Sequence, residues 1–265
     1  MKKLFLFFLL ACVLTPAVYA GNAQRYSQNE KISNYLYTLL KPRLEARAEQ
    51  EHYSQMAEEQ LVQDLQNWAA SGNTEELAQL AKQAEQFRSN AKTVCGDNRV
   101  LLKKIMAAGE VSVCINPSVL RTKDHFGNNL FHKAKNVQTV AAIGYVARNF
   151  YPADFSMISE MKNEKNTAQE TPLVSHISRG DLASFFPLYD NSKLAQSIAG
   201  MEAIGFKNTG IAWQSSADIY KQEIAQWGTN AAGVNVAQLV QMQPQTEQQI
   251  KLMRFFRNHA PYLLN

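Results

Sequence analysis

The chain has 265 residues, and its 27 Lys and Arg stand against 23 Asp and Glu for a net charge of +4. That balance excludes the strong basic surface of a dedicated nucleic-acid binder. Two of the positive charges, Lys2 and Lys3, also fall in a predicted leader, so the rest of the chain lies closer still to neutrality.

The leader comes first in chain order. After the two lysines, Leu4 to Leu14 are apolar, and Val18-Tyr19-Ala20 forms a small-residue cleavage site. This is the pattern of a secretory signal peptide over residues 1–20. Leu9-Leu10-Ala11-Cys12 also resembles a bacterial lipoprotein box with Cys12 as the acylated residue. Cleavage after Ala20 is preferred, because cleavage before Cys12 would leave Val13 to Tyr19 as an apolar start. No later stretch reaches the ~20 apolar residues of a membrane span, so a soluble periplasmic or secreted protein is expected.

Residues 21–60 predict a helical extension. Ile32, Tyr35, Leu36, Leu39 and Leu40 recur at helical spacing. Pro42 is expected to interrupt that helix. A second, long helix follows from Arg43 to about Ala70, rich in Glu, Gln, Ala and Arg. Gly72-Asn73 breaks it, and Thr74 to Phe87 predicts another helix with Leu77, Leu80, Ala81 and Ala84 on one side.

Gly96-Asp97 is expected to open a further helix through Val100, Leu101 and Ile105, closed by Ala107-Ala108-Gly109. Beyond the leader two cysteines remain, Cys95 and Cys114. An even pair in an exported chain is a candidate disulfide, the alternative being two buried thiols. The helix expected between them separates them unless residues 109–114 fold back.

Asp124 to Phe150 predicts a turn and two helices, ended at Tyr151-Pro152. Residues 153–170 are polar and predict a long exposed loop, placed either on a binding face or on indifferent surface. Thr171-Pro172-Leu173 has helix-start chemistry: a Thr cap followed by proline at the first helical position. Gly180-Asp181 ends that helix and Leu182 to Leu188 begins the next, shortened or kinked at Pro187. Ile219 to Trp227 and Val234 to Met242 predict short helices. Over residues 244–265 the last helix follows Pro244, with Thr246 and Gln249 as a capping box and Ile250, Leu252, Met253, Phe255 and Phe256 as apolar surface.

Gly127-Asn128-Asn129-Leu130-Phe131-His132-Lys133-Ala134 and Thr171-Pro172-Leu173-Val174-Ser175-His176 resemble the T-P-L-H-x-A helix start of ankyrin repeats. In the first run His132 and Ala134 match outright, and Asp124 and Gly127 match the preceding turn. Trp68 to Leu77 and Gly96 to Val113 are similar to parts of such repeats, and Asn208-Thr209-Gly210-Ile211-Ala212-Trp213 looks like a decayed copy. Asn129 to Thr171 spans 42 residues, against roughly 33 in a standard repeat. The resemblance implies an all-α, irregular ankyrin-like solenoid over residues 61–243, of four or five repeats, with residues 244–265 as its capping helix.

The function implied is protein binding rather than catalysis. There is no G-x-S-x-G, no phosphate-cradling glycine loop and no H-E-x-x-H. The five histidines include no close metal-ligand pair. No catalytic residue, metal or cofactor is expected, nor any nucleic-acid partner. His132 is read as structural, bonding backbone in the neighbouring loop, and His176 as similar. Turns before first helices line the concave face in ankyrin-type stacks, and interfaces favour aromatics and Arg. His125, Phe126 and Arg179 are therefore the candidate partner contacts. The resemblance implies a protein partner, with an enzyme held or inhibited in the cell envelope as the expected case. The alternatives are a secreted effector or toxin-neutralising factor, and an enzyme on a helical-repeat fold without a recognisable motif.

Overall fold

A computed structural model describes residues 23–96, 98–106, 109–151, 156–200 and 227–265. The described chain is mostly helical, with one small β-hairpin. It divides after Glu49 into two compact units. The predicted leader, the decayed copy at 208–213 and most of the helix expected from Ile219 lie outside the described residues.

The first helix, α1, is Ala23–Ser71, and Pro42 lies inside it. The expected break at Pro42 is therefore absent. Proline removes one backbone donor and crowds the preceding turn, but the strong helix formers on both sides carry the helix through. In the first unit it exposes Tyr35, Leu36, Leu39 and Leu40.

In the second unit the same helix buries Ala57, Leu61, Leu65 and Ala69, a single stripe at four-residue spacing. Gly72 ends it at φ +82°, where a side chain would be strained. Asn73 then caps α2 (Thr74–Gln86) by accepting from Glu76 N–H. This helix buries Leu77, Leu80, Ala81 and Ala84 as its spacing predicts. A short helix, α3, follows at Arg88–Cys95.

The helix expected from Gly96 to Gly109 is instead an antiparallel hairpin, β1 (Val100–Met106) with β2 (Gly109–Ile115), pairing Val100 with Ile115 and Leu101 with Cys114. Both faces of its base are covered. Val100, Leu102, Val113 and Ile115 enter the main core, while Leu101 and Cys114 pack against Ala91 and Phe87. A strand buried on both faces loses its alternation and reads like a buried helix. The fold-back brings Cys95 and Cys114 together, and they form a disulfide with Cα atoms 5.4 Å apart. The pair is thus oxidised rather than two buried thiols.

A 3₁₀ turn at Pro117–Arg121 leads to a four-residue helix, α4 (Leu130–Lys133), and then α5 (Val137–Phe150). Helix α5 is buried from Thr139 to Phe150 on every side, as expected of a helix at the centre of a domain. It lies against α2 and against α9 (Asn191–Ala199). A Cβ at Gly144 would meet a Leu194 methyl at 3.0 Å, so the glycine permits that approach.

Part of the expected loop 153–170 is helical: α6 spans Ser156–Asn163 and buries Met157, Ile158 and Met161. Its apolar residues, Met157, Ile158 and Met161, cover little more than one turn, too short a run to stand out in sequence. Next come α7 (Pro172–Ser178), a 3₁₀ turn at Leu182–Ser184 and α8 (Phe185–Tyr189), with Pro187 in α8 as the expected irregularity. The last helices are α10 (Val236–Gln241) and α11 (Glu247–His259). Helix α11 buries Leu252 and Phe256, and Phe256 meets Phe185 and Trp227 edge-on at 5.6 and 5.8 Å. Among the described residues no helix is long and apolar enough to cross a membrane.

Candidate functional site

Among the described residues one turn occurs three times. In the first copy Asp124 Oδ1 accepts from the N–H groups of Phe126 and Asn128, both at 2.9 Å. In the second, Asn166 Oδ1 accepts from Ala168 and Glu170 N–H, both at 3.0 Å. In the third, Asn230 Oδ1 accepts from Ala232 and Val234 N–H at 3.0 and 2.9 Å. The backbone repeats as well. Asp124, Asn166 and Asn230 each donate N–H to the carbonyl four residues on, and each accepts from the N–H three residues on. That third residue has positive φ every time: Gly127 (+75°), Gln169 (+62°) and Gly233 (+76°).

A helix starts at the same offset behind each turn. Asn129, Thr171 and Asn235 are the caps, accepting from the N–H of His132, Val174 and Gln238. In two copies the third helical residue returns the bond. Asn129 N–H donates to His132 Nδ1, and Asn235 N–H donates to Gln238 Oε1. This reciprocal arrangement satisfies two otherwise unpaired donors at a helix start.

The turns are also tied to one another. Thr167 donates both its N–H and its hydroxyl to Phe126 O at 2.9 Å, and Asn166 Nδ2 donates to Asn128 Oδ1 at 3.0 Å. Ala231 N–H reaches Glu170 Oε1 at 3.4 Å. The cap side chains reach onward too: Asn129 Nδ2 donates to Met161 O, the Thr171 hydroxyl to Trp227 O, and Asn235 Nδ2 to Leu263 O. Gly127 is needed at this junction for a second reason. A Cβ there would lie 3.1 Å from Thr167 N.

His132 bridges the first two copies. Its Nε2 lies 2.9 Å from Glu170 O. A carbonyl cannot donate, so Nε2 carries the hydrogen and Nδ1 is left to accept from Asn129. Burial holds the ring neutral, pushing its pKa down to about 4. At Asp124 burial works to raise the carboxyl pKa, but the Asn128 and Phe126 N–H groups outweigh it and hold the group below its ordinary value.

Arg179 and His176 make a second bridge. Arg179 Nη1 donates to His132 O at 2.7 Å, and its Nη2 donates to Ala134 O. His176 Nδ1 lies 2.7 Å from Asp181 Oδ2, and its Nε2 lies 2.9 Å from Phe131 O. Burial lowers the His176 pKa, as it does that of His132.

The tips leave a row of exposed residues: His125 and Phe126, then Thr167 and Ala168, then Ala231 and Ala232. Phe126 is 56% exposed, and its ring centroid lies 3.8 Å from that of His125. The structure thus brings two of the three candidate contacts together, while Arg179 places its guanidinium on the carbonyls closing α4. Sequence reasoning missed the copy at Asn230 to Gln238. Its signal was present, since Asn230-x-x-Gly233-x-Asn235 repeats the spacing of Asp124-x-x-Gly127-x-Asn129. Among the described residues no group of His, Cys, Asp and Glu is placed to hold a metal ion. No protein-family model, curated protein or solved structure matches the chain.

Proposed function

We propose that the chain is an exported, ankyrin-like scaffold that binds a protein partner through its row of turn tips, with His125 and Phe126 as the principal contact. The reading is carried by the three turns, each bonded to the next. The same bonding frame stands behind each tip, and of the tip side chains only the Thr167 hydroxyl takes part in tying the turns together. The Asp124, Gly127, Asn129, His132 and Ala134 pattern supports the ankyrin likeness, as does the His132 bond to the next turn's carbonyl. Export is supported by the leader-like residues 1–20 and by the disulfide, a bond that persists in oxidising compartments.

An exposed aromatic on a rigid support is an efficient contact, because it buries large area at low entropic cost. Photo-crosslinking in the native cell tests the surface. A photoreactive residue at position 126, 168 or 232 should yield adducts to one common protein. The same residue at Lys82, on the exposed side of α2, should not. Equal labelling from Lys82, or no common adduct from the three tips, overturns the reading.

A further inference from the structure

A second feature lies away from the tips. Helices α2 and α3, the start of β1 and the end of α5 enclose a cavity of about 530 Å³, within the size range of small-ligand sites. Arg88, Lys92 and Arg99 line it, and among the described residues no carboxylate does. Arg88 is already positioned. Its Nη2 donates to the carbonyl and to the side-chain oxygen of Asn149 at 3.2 and 3.0 Å, and Asn149 Nδ2 in turn donates to Tyr145 O at 2.9 Å. The Nε of Arg88 is buried and has no acceptor. The rest of the lining includes Ala84, Val100 and Phe150, which are apolar. The disulfide fastens α3, which carries Lys92, to the hairpin that begins beside Arg99, so these two walls are held together before any ligand arrives.

We propose that this cavity binds an amphipathic anion, a single carboxylate or phosphate head on an apolar body. The head accepts from the Arg88 guanidinium, Arg99 adds charge on the lining, and the body lies against Ala84, Val100 and Phe150. A fixed guanidinium suits either head, since both offer paired oxygens to its planar donors.

Calorimetric titration of the full chain at low salt with hexanoate, hexyl phosphate, hexanol and inorganic phosphate tests the site. At least one of the two amphipathic anions should bind about tenfold more tightly than hexanol and than inorganic phosphate, and the tighter of the two identifies the head. Arg88→Gln should weaken that binding about tenfold with the circular dichroism spectrum unchanged. Should Arg88→Gln fail to fold, Arg88→Lys keeps the charge without the planar guanidinium and should show the same loss, and Arg99→Gln a smaller one. Hexanol binding as tightly as the acids overturns the proposal, as does the absence of binding by either acid at millimolar concentration. Undiminished binding in folded Arg88 variants overturns it as well.

Discussion

His132 secures two backbone segments with one neutral ring, and that neutrality has a pH signature. Its folded pKa is about 4, against an ordinary value near 6.5. As pH falls from 6.5 to 4, the unfolded chain takes up a proton that the folded ring refuses, so the stability due to this residue is complete above 6.5 and lost across that window. His132→Ala should cost about 1–3 kcal/mol at neutral pH by leaving the Asn129 N–H without its partner. It should also flatten the dependence of the urea midpoint on pH between 6.5 and 4. A variant whose slope matched wild type would show that the ring does not titrate there. Lys162 acts on the alkaline side. Burial pushes its pKa down to about 7, against the pull of Asp190, and Nζ donates to Asn191 Oδ1 at 2.6 Å. Below pH 7 both states are charged and the folded state bears the full burial penalty, which is relieved as pH rises towards 10.5. The stability of Lys162→Met minus that of wild type should therefore fall steadily from pH 7 to 10, and a constant difference in paired urea titrations would refute the assignment.

Helix α4 is too short to persist by its own hydrogen bonds, since a single turn fixes more torsions than its bonds repay. It exists because both ends are held: Asn129 and His132 close its start, and the Arg179 guanidinium takes the carbonyls of His132 and Ala134 at its end. Arg179→Ala should cost roughly 1–2 kcal/mol by stranding those carbonyls. It should also speed hydrogen exchange at the Ala134 amide, which donates to Leu130 O. Unchanged exchange there would show that the clamp is dispensable. These elements differ in how far sequence discloses them. The starts of α4 and α7 were legible because a cap residue and a turn residue at fixed offset are local chemistry. The hairpin was not, because Val100-Leu101-Leu102 is buried on both faces and carries no period. Pro42 misled in the other direction, its local penalty being smaller than the combined propensity of the residues around it.

Across the second unit the three turns form one continuous edge, although the caps they precede, Asn129, Thr171 and Asn235, are unevenly spaced in the chain. The third copy is marked in the sequence by its turn offset alone, since Val236-Ala237-Gln238 lacks the helix-start pattern of the other two. The helical character and the disulfide pair were within reach of composition and spacing, whereas the cavity beside Arg88 was not, since it joins residues from α2 to α5. Exchanging Ala231 and Ala232 for His and Phe, with alanines at 125 and 126, should leave the thermal midpoint within about 2 °C of wild type, as expected where only solvated side chains move. It should also shift photo-crosslinks from the first tip to the third. A midpoint lowered much further would mean that the tip side chains belong to the fold. Because Asp124, Asn166 and Asn230 reproduce one scaffold behind interchangeable ends, the lettering on this edge is free to be rewritten while the binding of the page stays as it was. Divergence among descendants of such a chain should then concentrate at positions 125, 126, 168, 231 and 232, and spare Thr167 and the residues a single step behind the tips.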